Sequence, residues 1–188
     1  MNIPYVLENT NGIERVFDIY SKLLTDRIIF LEGEINDRTA NIIISELIYL
    51  DSINNEDISL YINSPGGSIS SGLAIIDTFN YIKSEVRTIG IGSCASMAAI
   101  ILSCGEKGKR IALKNTEIMI HQPIGGVNGQ ATEIKIVAEH ILKLKDKIYK
   151  ILSKNTNKTI ARIKKDSERD FYMDSNEAFE YGIIDKII

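Results

Sequence analysis

Residues 58–91, ISLYINSPGGSISSGLAIIDTFNYIKSEVRTIGI, carry one complete cycle of the pattern that decides the fold. Ile58-Ser-Leu-Tyr-Ile reads as a strand, Ser71 to Lys83 as a helix, and Val86 to Ile91 as a second strand. Strand, helix and strand joined by short turns form a crossover, which sets the two strands parallel with the helix over the sheet. Working outward, Arg27-Ile-Ile-Phe-Leu is an earlier strand. Thr39 to Leu50 follows as a helix with Ile42, Ile43, Leu47 and Leu50 facing inward. Downstream, Arg110 to Leu113 and Glu117 to His121 are short strands ahead of a glycine-rich stretch, Gly125 to Gly129. The longest helix covers about Thr132 to Ser153, with Ile134, Val137, Ile141, Leu144, Ile148 and Leu152 in one apolar stripe. A helix this long in a small domain is expected to project, and its stripe then calls for a second copy of the chain. Packing across its own domain is the alternative.

Composition narrows the function. A chain of 188 residues suits one domain with a real core, and its 44% hydrophobic and 25% charged residues are those of a soluble globular protein. The net charge of −3 and the lack of a basic stripe argue against nucleic acid as a partner. Lys143 to Lys154 is Lys-rich, but at helical spacing it reads as a solvated face. Cys94 and Cys104 match no common zinc spacing, and only two histidines accompany them, so no metal is expected. The apolar run Cys94 to Leu102 is far below the ~20 residues of a membrane span. With no basic and apolar leader in Met1-Asn-Ile-Pro-Tyr-Val, a cytoplasmic location is expected.

Three segments are suited to chemistry. Gly90-Ile-Gly-Ser-Cys-Ala-Ser-Met-Ala-Ala99 passes from a strand through small residues into an apolar helix. Such a turn exposes a side chain where free backbone N–H groups favour developing negative charge. Ser93, Cys94 and Ser96 are all candidates there. Ser96 is favoured because it opens the helix, although serine at that position is also an ordinary N-cap. The segment is not a G-x-S-x-G elbow. Serine needs a base, and of the two histidines His140 lies mid-helix while His121 ends a strand before Gln-Pro. A buried core histidine is the plain alternative for His121. Pro65-Gly-Gly67 is first a turn, and its bare backbone can also approach a substrate. Among many aspartates, spacing selects no acid to orient His121.

These residues occur in a collinear set that resembles the proteolytic subunit of the Clp protease family. The matching stretches include Phe17-Asp-Ile-Tyr-Ser-Lys-Leu-Leu, Leu60-Tyr-Ile-Asn-Ser-Pro-Gly-Gly67, Ala95-Ser-Met-Ala98, Met119-Ile-His-Gln-Pro123, Glu168-Arg-Asp170 and Glu177-Ala-Phe-Glu-Tyr-Gly-Ile-Ile-Asp185. The resemblance runs over roughly residues 5 to 187. It implies an α/β, crotonase-like βα superhelix in a single domain over 1–188, with an axial segment at 1–17 and a projecting strand and helix at about 122–153. It implies Ser96 as nucleophile, His121 as base and Asp170 as the acid, with the N–H groups of Gly67 and Met97 as an oxyanion hole. Peptide would lie along Gly66, Ser68, Ile69, Gly125 and Gly126.

The same resemblance implies two stacked seven-membered rings around a chamber, with Gln130, Glu168 and Arg169 at the ring-to-ring contact. A hexameric AAA+ unfoldase would deliver unfolded protein after docking at Tyr61, Tyr81, Ile89, Ile91, Ile111 and Leu113. No cofactor is implied; ATP would serve the unfoldase, since this chain has no G-x-x-x-x-G-K-[ST] motif. Two departures stand out. Ser59 and Ile111 replace aromatics common in the docking cleft, and Cys94 near the nucleophile points to sensitivity to thiol reagents. The rival expectations are a non-cleaving ring subunit and an acyl-CoA hydratase or isomerase of the same fold.

Overall fold

The crossover at residues 58–91 forms the centre of the molecule. The computed structural model describes residues 3–10 and 13–188. Within the expected axial segment, residues 1, 2, 11 and 12 lie outside the described residues, and the rest forms a hairpin of β1 (Tyr5–Thr10) and β2 (Ile13–Asp18). There follow α1 (Ile19–Thr25), β3 (Ile28–Ile35), α2 (Asp37–Ile53), β4 (Ile58–Gly67), α3 (Ile69–Tyr81), β5 (Val86–Ala95) and α4 (Met97–Ser103). The last part contains β6 (Arg110–Ala112), β7 (Glu117–Ile120), α5 (Ala131–Thr156), α6 (Ile160–Asp166), β8 (Phe171–Met173), α7 (Ser175–Tyr181) and β9 (Lys186–Ile187).

Strands β3, β4, β5, β6 and β9 lie side by side and parallel, the α/β arrangement that the crossovers require. β5 serves two partners in succession. Thr88–Gly90 pair with β6, whereas Ser93–Ala95 pair with β7, which takes β8 antiparallel on its other edge. The switch is made by a bulge: pairing with β4 steps from Ile62↔Gly90 to Ser64↔Cys94, and Gly92 supplies φ +64° inside it. Pro65 sits in a matching irregularity of β4, where the lost ladder donor is harmless.

The inward faces of the strands and helices close over α4, every residue of which is buried. An apolar helix with no polar face can only be central. In α2 the inward stripe is Ala40, Ile43, Leu47 and Leu50, and Ile42 is instead 48% exposed. One helical step of about 100° from Ile43 carries it off the stripe. The helix also starts earlier than expected, because Asn36 and Thr39 form a capping box.

Helix α5 buries side chains at one end only. Ile148, Tyr149 and Leu152 are buried at its C-terminal end, whereas Ile134, Ile136 and Leu142 are 41%, 60% and 59% exposed. The expected strand before it is absent: residues 121–130 are irregular. A strand exists only through a ladder, and this segment is paired with no strand among the described residues.

One buried cation ties the ends of three helices. Arg110 is 5% exposed, and its Nη1 donates to the carbonyls of Ser103, Asn155 and Gly182 at 3.4, 3.0 and 3.0 Å. Those carbonyls close α4, α5 and α7, where helices lack internal donors and favour positive charge. Its Nε and Nη2 grip Asp185, with Nε to Oδ2 at 2.7 Å. Burial works against the charged form of Asp185, yet the hydrogen bonds from Arg110 and from the Gly108 N–H hold its carboxyl below the usual carboxylate range.

Removing Arg110 orphans a largely buried carboxylate and three carbonyls. Arg110→Met is therefore expected to lower unfolding stability by about 3–5 kcal/mol, read as an earlier urea midpoint. Because the Asp185 value is depressed on folding, its contribution is complete above an unfolded pKa of about 3.9 and is lost as pH falls through the folded value. The acid limb of a stability–pH curve should accordingly flatten in Arg110→Met; an unchanged limb would contradict this account.

Candidate active site

The bulge in β5 delivers the chain to a sharp junction with α4. The Ser93 N–H donates to Asn63 Oδ1 at 3.2 Å, and the Ser96 N–H donates to the Met119 carbonyl at 2.8 Å. Between them the chain turns so tightly that Ser96 has φ +55° and ψ −123°, a region that side chains other than glycine's rarely occupy. This is the backbone of a strained strand-to-helix elbow, although the sequence lacks the usual glycine flanks. Ser96 occupies the N-cap position but its side chain caps nothing. Its Oγ instead lies 2.8 Å from His121 Nε2, and His121 Nδ1 lies 3.1 Å from Asp170 Oδ1. With the proton on Nδ1, the imidazole donates to Asp170 and accepts from Ser96, the orientation a general base requires.

Gly66 makes room for this junction, and Gly67 makes room for the end of β3. A Cβ on Gly66 would lie 2.6 Å from the Ala95 carbonyl oxygen, 2.8 Å from Ser96 Cβ and 3.0 Å from the Met97 nitrogen. One on Gly67 would lie 2.2 Å from the Ile35 oxygen. The Pro-Gly-Gly turn thus abuts the first N–H of α4, which as a helix-terminal donor has no partner within the helix. Ser64, buried within β4, fixes the turn: its Oγ donates to the Gly33 carbonyl at 2.5 Å and accepts from the Gly66 N–H at 3.0 Å. Asn63 and Ser64 were not singled out from sequence. Their signal was polarity inside an otherwise apolar strand.

The other expected residues spread outward. Ser68 Oγ caps α3 by accepting from the Ser71 N–H, and Ile69 is half-buried behind it. Gly125 and Gly126 are exposed, as is Gln130, whose N–H donates to Glu133 Oε2 at 3.2 Å at the start of α5. Glu168 and Arg169 are exposed just ahead of Asp170. Tyr61, Ile89 and Ile111 form one row across three strands through the pairs Tyr61↔Ile89 and Ile89↔Ile111, but Ile89 is buried and, against expectation, offers no surface for docking. Phe30 stacks on Tyr61 with ring centroids 5.4 Å apart, while Tyr81 and Leu113 are 82% and 40% exposed. Ile91 is half-buried within the β5 bulge. His140 is exposed on α5, apart from this cluster.

Comparison with known families finds a match to the Clp protease family model over residues 11–188. The chain belongs to the Clp protease family. Membership implies a serine peptidase, and among the described residues of this Clp protease no helix is long and apolar enough to cross a membrane.

The thiol sensitivity expected of Cys94 is not supported by its surroundings in this Clp protease chain. Cys94 is 0% exposed, its Sγ donates to the Ile62 carbonyl at 3.2 Å, and burial pushes its thiol up to about 12. Burial likewise pushes Cys104 up to about 11. Thiolate is the reactive form, so neither is activated. Ellman's reagent at pH 8 should leave Cys94 unreacted in the native protein and find two thiols after denaturation; rapid reaction of Cys94 in the folded state would contradict the burial. The glycines offer a second test. Gly66→Ala, at φ +91° and against Ser96, is expected to abolish reaction of the site with serine probes, whereas Gly126→Ala, whose Cβ meets open space, should leave the thermal midpoint unchanged.

Proposed function

We propose that this chain is an ATP-unfoldase-dependent serine endopeptidase that cuts unfolded protein into short peptides within a double ring. The observation that carries the reading is the continuous chain from Ser96 Oγ to His121 at 2.8 Å and on to Asp170 at 3.1 Å. Ser96 attacks the peptide carbonyl while His121 Nε2 takes its proton. His121 then returns that proton to the leaving amine, and water, activated by the same imidazole, releases the acyl-enzyme. Asp170 holds the ring in the working tautomer and offsets the imidazolium charge. The N–H groups of Gly67 and Met97 receive the oxyanion, a role supported by the close approach of the Pro-Gly-Gly turn to the start of α4. Extended peptide lies between Gly66–Ile69 and Gly125–Gly126.

Assembly follows from apolar surface. The exposed isoleucines and leucine on the N-terminal half of α5 support a ring-to-ring contact through α5, Gln130, Glu168 and Arg169. Two stacked heptamers enclose the sites and restrict them to threaded chains. Tyr61 and Ile111, with Tyr81, Ile91 and Leu113 around them and the buried Ile89 between them in the sheet, are the docking surface for a hexameric AAA+ unfoldase. The protein then works in the cytoplasm, beside the machine that feeds it.

An active-site probe tests the chemistry. A fluorophosphonate should label the wild type and spare Ser96→Ala, and His121→Ala should lose roughly 10⁴-fold or more in peptide cleavage. Undiminished labelling of Ser96→Ala would move the nucleophile elsewhere. Assembled rings that neither label nor cleave would make the chain a non-cleaving subunit. Native mass analysis that found only a 21.0 kDa species under all conditions would remove the ring.

A further inference from the structure

His121 and Asp170 are 49 positions apart, and their contact depends on whatever holds two separate segments together. Part of the answer is the β7–β8 ladder, with register Ile118↔Met173, Met119↔Tyr172 and Ile120↔Phe171. Continued by one step, that antiparallel register sets His121 opposite Asp170. The ladder stops one residue short of both, so the pair that must keep its geometry lies just beyond the last backbone hydrogen bonds.

A side chain takes over there. Gln122 Nε2 donates to the Glu168 carbonyl at 2.9 Å, spanning the same two segments on the far side of His121 and Asp170. Gln122 Oε1 accepts from Lys145 Nζ at 2.7 Å. The orientation of the amide is fixed by chemistry, because an ammonium only donates and a carbonyl only accepts. Lys145 is itself held over the ring of Tyr149, with Nζ 5.7 Å from the centroid, one turn along α5. Tyr149 is 1% exposed, a fixed platform. The hydroxyls of Tyr149 and Ser167 are buried and make no hydrogen bond among the described residues, so they add no brace of their own at this junction.

We infer that Gln122, oriented by Lys145, is a positioning residue that extends the β7–β8 pairing past the triad and holds Asp170 against His121. The inference rests on the peptidase reading of Ser96, His121 and Asp170. Neither Gln122 nor Lys145 needs to touch substrate. Their effect is on the tautomer and aim of the imidazole, and so on the reactivity of Ser96.

The test uses the full chain in its assembled state. Gln122→Met keeps the length and removes both hydrogen bonds; Gln122→Glu still accepts from Lys145 but cannot donate to the Glu168 carbonyl at neutral pH. Both are expected to lower kcat for a fluorogenic peptide by about 10–100-fold, the scale of a misplacement near 1 Å, with KM within about twofold. The rate constant for fluorophosphonate labelling should fall by the same factor. Lys145→Met should lower both rates, Lys145→Arg should recover them, and the double Met variant should be no slower than Gln122→Met alone. The inference is overturned if Gln122→Met and Gln122→Glu, in particles of wild-type mass, label and turn over within about twofold of the wild type. It is equally overturned if their losses only track a fall in assembled mass. Failure of the underlying reading looks different, since Ser96→Ala would then still label.

Discussion

Helix α4 has no side turned to water, from Met97 to Ser103. A seven-residue helix is too short to be stable by itself, so it exists only because β4, β5, β7, α3 and α5 close around it. Its position fixes what must happen at each end. At the C-terminus, buried carbonyls need a donor, and Arg110 reaches Ser103 from β6. At the N-terminus, free N–H groups must face something other than hydrocarbon, and there the chain places Ser96 and the Pro-Gly-Gly turn. On the proposed reading, the end of the apolar helix with free N–H groups is also the end that does the chemistry.

Cationic side chains do comparable work on both halves of the domain. Arg27 at the start of β3 donates to the carbonyls of Leu50, Glu56 and Asp57 around the end of α2. Arg110 does so for the ends of α4, α5 and α7. Each guanidinium supplies several donors in one plane, which a lysine cannot match. The strands and the turns that lead into them therefore carry both the alternating apolar residues of the core and the cations that close the helices packed on them.

Much of the fold was legible because it is written locally. Ile58 to Ile62, Thr39 to Leu50 and Val86 to Ile91 have periods that a strand or helix can satisfy by itself. What failed was either angular or non-local. Ile42 sits one helical step off its stripe, and Gly125 to Gly129 is paired with no strand among the described residues. At the site, the residue types around Ser96 and His121 were readable as chemistry, but Asp170 was reached only through family resemblance. The reason is the β7–β8 register, which brings residues 121 and 170 opposite each other without leaving a trace in either local pattern. Arg110 was equally silent: only folding gathers three helix ends around it.

The backbone of Ser96 has an implication for how such a chain can change over time. At φ +55° and ψ −123°, glycine is the residue the backbone itself prefers, and a non-glycine residue there costs of order 1–3 kcal/mol. Drift toward greater stability alone would therefore erode the serine. On the peptidase reading proposed above, position 96 is a point where thermodynamic advantage and chemical usefulness pull in opposite directions. A copy of this chain released from the need to react would have an energetic reason to lose its hydroxyl first, while β5, α4 and the packing around them remained as they are.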